Sequence, residues 1–429
     1  MKIRILFFLF ALFGVNAWAE IVLDIDSAVS RALQSNLSLE RSRMDLVAAQ
    51  RKNERSWNSM IPSLSAGALL SHPTSITGSI PPQQQVWTPG FSLSASLSLT
   101  PAIFANINQT KQEYEAGLIN YANAMQELEF HVRRLYYQIL LLKANAELAE
   151  QNVVSAQSRH EQTIALQRVG RASSLDELSA RLDVQNQQTN AQNAQAVYQN
   201  ALDNLKYLLM IPMETIVSLQ GDLGKFTVED QYANQIGYSE SMQMSALRQS
   251  IAVIEAQQKA AQLRNFAPTL NLSWNSTTLY RDQMGEMDWR DTNGQFSITL
   301  SFKLDNYLPW SPAREQINSL NDAINRQQSL LAEASMNHQS NIQKLLRDIS
   351  RSEETLETLR LNILLAEETL RMFEDSYRSG AVDLHTLNNT RDNLRAIQNR
   401  FLSEQFNLLS SILELERELN LPFGSIAHE

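Results

Sequence analysis

The residues whose types and spacing bear on chemistry fall into three sets, and none is a reaction centre. The six histidines (72, 131, 160, 338, 385 and 428) are scattered. The chain has no Walker A loop, no H-E-x-x-H, no G-x-S-x-G and no Cys/His cluster, so the sequence points to no catalytic residue, cofactor or resident metal. His385 is set apart by its place beside a predicted helix tip, where an ionisable ring has the chemistry of a switch. Met242 with Met244, and Met284 with Met287, have the softness a soft-metal path needs, but ordinary helix and loop methionines read the same way.

The second set is charged and clusters around two glycines. Arg168, Arg171, Asp176, Glu177 and Arg181 surround Gly170; Arg378, Asp383 and Arg391 surround Gly380. Their chemistry is that of docking contacts or gate ion pairs, set against the plain alternative of a solvated helix end. The third set is a ladder of small hydroxyls in "FSLSASLSLT", residues 91–100. Ser92, Ser94, Ser96 and Ser98 alternate there with Phe91, Leu93, Ala95, Leu97 and Leu99. Strict period two over ten residues is a strand with one apolar and one polar face. "FSITLSFKL" from Phe296 repeats it, with Ser297, Thr299, Ser301 and Lys303 on the polar side.

Positioning these sets requires long helices. Residues 313–379 contain neither proline nor glycine, 67 positions in all, which is roughly 100 Å of helix at about 1.5 Å per residue. Apolar residues there keep a helical rhythm, as in Leu356, Leu359, Ile363 and Leu370. Between Pro101 and Pro212 the only glycines are Gly117 and Gly170; between Pro312 and Pro422 the only one is Gly380. Gly170 and Gly380 are predicted to end helices in the left-handed conformation. Ser173, Ser174 or Asp383 then cap the returning helix, making two helical hairpins with tight tips.

The chain reads as a duplication. Gly170 and Gly380 are 210 positions apart, as are Pro212 and Pro422, Arg181 and Arg391, Gln188 and Gln398, Gln195 and Gln405, and Leu205 and Leu415. Upstream, Pro62 matches Pro268 at an offset of 206. The expected organisation is a leader over 1–19, a first repeat over 20–217 with strands near 62–71 and 90–100, and a second over 218–429 with strands near 268–280 and 293–304. "RDQMGEMDWRDTN" is expected as the loop joining the last two strands.

Compartment follows from the N-terminus. Lys2 and Arg4 precede an apolar run and Ala17-Trp18-Ala19, the pattern of a cleaved secretory leader. Removing those two positive charges leaves 34 basic against 46 acidic residues, a balance unsuited to a nucleic-acid partner. With no cysteine, the chain has no disulfide and no thioether-linked lipid, so a lipoprotein is not expected. No apolar run reaches the roughly 18 residues of a spanning helix. Four strands of about ten alternating residues have the length of outer-membrane strands. Four cannot close a barrel, and an open edge in lipid leaves backbone groups unpaired, so several chains must pool them; three give twelve and room for a lumen.

The sequence resembles the TolC family of outer-membrane efflux proteins over essentially its whole mature length. "LDIDSAVSRALQSNLSLERSRMDLVAAQ" is similar to that family's first helix and "IPSLSAG" to its first strand entry. "RVGRASSLDELSARLDVQNQQ" and "YRSGAVDLHTLNNTRDNLRAIQ" are similar to its two hairpin tips. The resemblance implies a mainly α fold with a membrane β-barrel portion: a homotrimer whose twelve pooled strands continue into a periplasmic tunnel of long helical hairpins. It implies partners in a periplasmic adaptor, an inner-membrane pump and outer-membrane lipid. Arg168, Gly170, Arg171, Arg378, Gly380 and Asp383 take the place of the tips that meet the adaptor. Asp176, Glu177, Thr386 and Asn389 take that of the aperture. Thr386 and Asn389 stand where the family's acidic gate ring more typically lies, with Asp383 nearer the tip as a substitute. The alternative from another class is a structural periplasmic coiled-coil protein with a small soluble sheet and no channel.

Overall fold

The computed structural model describes residues 21–72, 87–221, 223, 227–228, 240–283 and 286–428. The leader over 1–19 and Met284 lie outside them. In chain order the elements are β1 (Ile21–Leu23), α1 (Ile25–Ser35), α2 (Leu37–Glu54), a 3-10 turn (Ser56–Met60), β2 (Ser63–Ser71), β3 (Thr88–Leu99), α3 (Ala102–Arg168) and α4 (Ser174–Leu208). Then follow β4 (Val217–Leu219), β5 (Thr227–Val228), α5 (Met242–Phe266), β6 (Thr269–Gln283), β7 (Glu286–Ser301), a 3-10 turn (Leu304–Tyr307), α6 (Pro312–Ser379), α7 (Leu384–Glu418) and β8 (Ala427–His428). The helices dominate: α3 and α6 have 67 and 68 residues, and α4 and α7 have 35 each.

The chain divides into two compact units, residues 1–40, 125–239 and 340–429 in one, and 41–124 and 240–339 in the other. In the first, α1 packs through Ala28, Val29 and Ala32 onto Val132, Tyr136 and Ile139 of α3 and Leu202 and Leu205 of α4. Capping starts α1 where Asp24 accepts from the Ser27 amide at 3.2 Å. Tyr136 is buried, and its hydroxyl donates to the carbonyls of Leu23 and Gln220, fastening β1 and the end of β4. Burial pushes that phenol up to about 12. A second apolar cluster joins Ile342, Leu345 and Ile349 of α6 to Leu408, Ile412 and Leu415 of α7.

The second unit holds an antiparallel four-stranded sheet in the order β2-β3-β6-β7. Gly117 of α3 lets α2 come close: a Cβ there would meet Leu46 Cδ1 at 3.4 Å and Ala49 Cβ at 3.6 Å. At the end of β7, Asn306 Nδ2 donates to the Asn265 carbonyl at 2.7 Å and the Tyr307 hydroxyl donates to the Phe266 carbonyl, so the exit from the sheet is tied to α5.

The last two strands differ from expectation. Pairing continues through Arg281–Asp288, Asp282–Met287 and Gln283–Glu286, so most of "RDQMGEMDWRDTN" is strand. A ladder is made of backbone bonds, and a polar, Gly- and Asp-containing segment joins one when its partner strand stays in register. A bulge at Asn275/Thr277 absorbs one register step beside Gly294, where a Cβ would meet Trp274 Nε1 at 3.4 Å. At the other end β7 stops at Ser301, not at 304.

Candidate functional site

The sheet has two chemically distinct faces. In register, Ser63, Ser96, Ser273 and Ser297 form one row across all four strands. Ser63 and Ser96 hydroxyls lie 2.7 Å apart, Ser273 and Ser297 2.7 Å, and Ser65 and Ser94 2.6 Å. Ser65, Ser94, Asn275 and Gln295 form the next row, and Ser98, Asn271 and Thr299 a third. Ser92 shares this face, opposite Gly67 and Thr277, as does Ser301, opposite Thr269. The opposite face presents Leu64, Ala95, Trp274 and Phe296 in one row and Leu97, Leu272 and Ile298 in another. Lys303, expected on the hydroxyl face, stands two residues past β7 at the start of a 3-10 turn, so the described hydroxyl rows carry no charge.

The apolar face is not a core face. Phe296, Ile298 and Leu300 are 62, 63 and 59 % exposed, and Leu64, Phe91 and Leu93 are exposed as well. From Phe91 to Leu99 the apolar positions span roughly 27 Å at about 3.4 Å per residue, close to the roughly 25 Å band of a membrane barrel. Exposed Trp57 and Trp310 stand at the end of the sheet nearer Ser63, and exposed Trp87 stands at the other end. That is where aromatic residues belong at the two interfaces of a bilayer. β2 and β7 each pair on one side only among the described residues, leaving an unpaired edge at either border of the sheet.

The hairpin tips share one design. Gly170 has φ +74° and Gly380 φ +82°. The amide of Gly170 donates to Gln167 and that of Arg171 to Leu166, at 3.0 and 2.8 Å; those of Gly380 and Ala381 donate to Tyr377 and Ser376, at 3.0 and 2.9 Å. Three residues on, Ser173 accepts from the Asp176 amide at 3.1 Å, and Asp383 accepts from the Thr386 amide at 2.7 Å. Hydrogen bonds from the Thr386 backbone and side chain hold the Asp383 carboxyl below its ordinary value.

Asp176 is occupied in capping: it accepts from the Ser173 amide and hydroxyl, both at 2.8 Å. Glu177 lies 3.1 Å from His160 Nε2, and Asn389 lies 3.2 Å from His385 Nε2. Arg168, Arg171 and Arg378 are exposed, with Arg378 Nη1 3.4 Å from Asp375. Arg391 differs from Arg181, its counterpart 210 positions earlier. Arg181 is exposed; Arg391 is buried against Glu374 of α6. Buried Arg159 and part-buried Arg395 join it between the helices. Sequence patterns gave no hint of that cluster, because an arginine on an amphipathic helix reads as surface.

Among the described residues no helix is long and apolar enough to cross a membrane, and no group of three or more His, Asp or Glu side chains is placed to hold a metal. The sheet thus has one exposed apolar face, one hydroxyl face and, among the described residues, two unpaired edges. The chain shares this fold with VceC from Vibrio cholerae (TM-score 0.78, 16% identity, covering 93% of this chain and 96% of that one). It also shares it with the CmeC outer membrane channel of Campylobacter jejuni (0.77, 14%, 92% and 85%). The open state of the MtrE outer membrane channel of Neisseria gonorrhoeae is likewise similar (0.73, 17%, 92% and 89%). Among the curated proteins no sequence matches the chain. Residues 28–209 match the family described as outer membrane efflux protein. That is the family the sequence resembles, one of transport channels rather than enzymes.

Proposed function

We propose that this chain is the outer-membrane channel-tunnel of a tripartite efflux pump or type I secretion system, passively conducting substrates delivered by a periplasmic adaptor and an inner-membrane pump. Three copies pool their strands into a twelve-stranded barrel, β2 of one chain pairing with β7 of the next. The hydroxyl rows face the lumen, and the leucine, phenylalanine and isoleucine rows face lipid. Uncharged hydroxyls suit a passive conduit: they hydrogen-bond water and hold solutes too weakly to trap them. The tips at Gly170 and Gly380 meet the adaptor, and Asp176, Glu177, Thr386 and Asn389 stand nearest the aperture. The two hairpins are copies of one duplicated unit, repeated over 20–217 and 218–429.

The single observation that carries this reading is the isolated four-stranded sheet, exposed on its apolar face and open at both edges. In lipid such a sheet is viable only when closed. The experiment is the native mass of protein extracted in detergent from separated membranes. A mass near three chains of 48.6 kDa each, less their leaders, in the outer-membrane fraction is expected. A monomer in the soluble periplasmic fraction overturns the channel and leaves the structural coiled-coil reading.

A further inference from the structure

Three guanidinium groups converge between the two hairpins, back from the tips. Arg159 of α3 donates through Nη2 to Asp183 of α4, and Arg391 of α7 donates through Nη2 to Glu374 of α6. Arg395 of α7 donates through Nε to Asn152 at 3.0 Å and through Nη1 to Asp392 at 2.8 Å. Arg159 and Arg391 are each only 8% exposed. Asp183, Glu374 and Asp392 offset the three positive charges, but each engages one edge of its arginine. Arg159 Nη1, Arg391 Nη1 and Arg395 Nη2 are buried with no partner among the protein's own atoms. A buried charged donor left unpaired is costly, and three such donors lie on arginines that share one cavity wall.

The three arginines line a cavity of about 150 Å³ together with Asp183, Asn186, Asn388 and Asp392, and exposed Ser179 and Leu182 rim it. A water molecule's share of liquid volume is about 30 Å³, so the space takes a carboxylate or phosphate with room to spare. Burial, and after it the facing Arg159, hold the Arg391 guanidinium below its ordinary value, evidence of positive charge on that side. Planar forks of N–H donors match the oxygens of a carboxylate or phosphate better than any neutral ligand.

We propose that this cavity is a binding site for a small soluble oxyanion, held by the guanidinium groups of Arg159, Arg391 and Arg395. The bound anion ties the Gly170 hairpin to the Gly380 hairpin, because its three donors come from α3 and α7. The site is distinct from the hydroxyl-lined sheet and does not depend on what the channel carries.

The test uses the full chain in detergent, with inorganic phosphate as the probe against chloride at matched ionic strength. Phosphate should raise the unfolding midpoint saturably. Arg395→Gln removes one of the three donors and should weaken the apparent affinity at least about tenfold. Asn388→Asp, nearly unchanged in size, adds a third carboxylate to the cavity wall beside Asp183 and Asp392; it should raise the midpoint without phosphate and abolish the phosphate response. Should Arg395→Gln fail to fold, Asn388→Asp decides alone. No saturable response in the wild type, or an equal response in all three proteins, overturns the site. A silent phosphate titration with an Asn388→Asp chain that loses its oligomer overturns it too, since a neighbouring chain's carboxylate then fills the cavity.

Discussion

Met210 and Asn420, 210 positions apart, hold the same left-handed backbone at the ends of α4 and α7, with φ 51° and 53°. Behind each, the following amide reaches back over the helix end: Ile211 to the Lys206 carbonyl at 2.8 Å, Leu421 to the Glu416 carbonyl at 2.9 Å. They are the only non-glycine residues with positive φ among those described. Asparagine tolerates that region and methionine resists it. Asn420→Met should therefore cost about 1 kcal/mol, while Met210→Asn should stabilise by about 0.5 kcal/mol. Urea unfolding midpoints of the two swaps should move in opposite directions; movement in the same direction removes backbone strain as the cause.

The tip glycines make a separate prediction. A Cβ at Gly170 or Gly380 meets nothing within 4 Å, so space imposes no limit there and backbone conformation alone does. Valine at either position should cost about 1–2 kcal/mol at the tip, being β-branched in the left-handed region. Export should be impaired with the oligomer still assembled, read by efflux-dependent drug susceptibility beside native mass. Full efflux in both valine variants contradicts the role given to the tips.

The tips were legible in sequence because glycine and a capping residue carry a local backbone requirement that no distant contact alters. The long arms were legible for the same reason, through an absence of breakers over 313–379. The length of β7 was not: its pairing past Thr292 depends on a partner strand, and composition favoured a loop. The burial of Arg391 was invisible too. Arg181 stands at the matching position in the same chemical pattern and is exposed, so only the packing of α6 against α7 separates them. Gly117 likewise reads as a weak point in a helix until Leu46 is seen against it.

Glu416 predicts a pH dependence. It is fully buried, and its carboxylate accepts from the Gly424 amide at 3.0 Å and the Ile426 amide at 2.9 Å. Burial raises its pKa despite those bonds. The folded state thus binds this proton more tightly than the unfolded one. The favourable contribution is complete below the ordinary value of 4.5 and is lost as pH rises through the raised folded value. Asp183 acts in the opposite sense: burial opposes its charge, but hydrogen bonds from Arg159 and Gln187 hold it below 3.8, so its contribution is lost in acid. Glu416→Gln keeps one acceptor oxygen and should cost about 1–2 kcal/mol. Its deficit against the wild type should shrink as pH rises from 4.5. A deficit that grows with pH contradicts the raised value.

Ile298 and Ser297 are neighbours on β7 that belong to opposite faces, so the same substitution at each separates lipid from lumen. Ile298→Arg places a charge in the apolar rows, where burial near the middle of a bilayer costs about 2–4 kcal/mol. The assembled oligomer should be lost from the outer-membrane fraction. Ser297→Arg adds the same charge to the hydroxyl row beside Ser273, in water. It should assemble normally, lower single-channel conductance in planar bilayers and shift selectivity toward anions. The pair is informative because chain, strand depth and charge are all matched and only the face differs. If Ile298→Arg assembles as well as Ser297→Arg, the apolar rows do not meet lipid and the barrel reading fails. If Ser297→Arg is the one that fails to assemble, the faces are assigned the wrong way round.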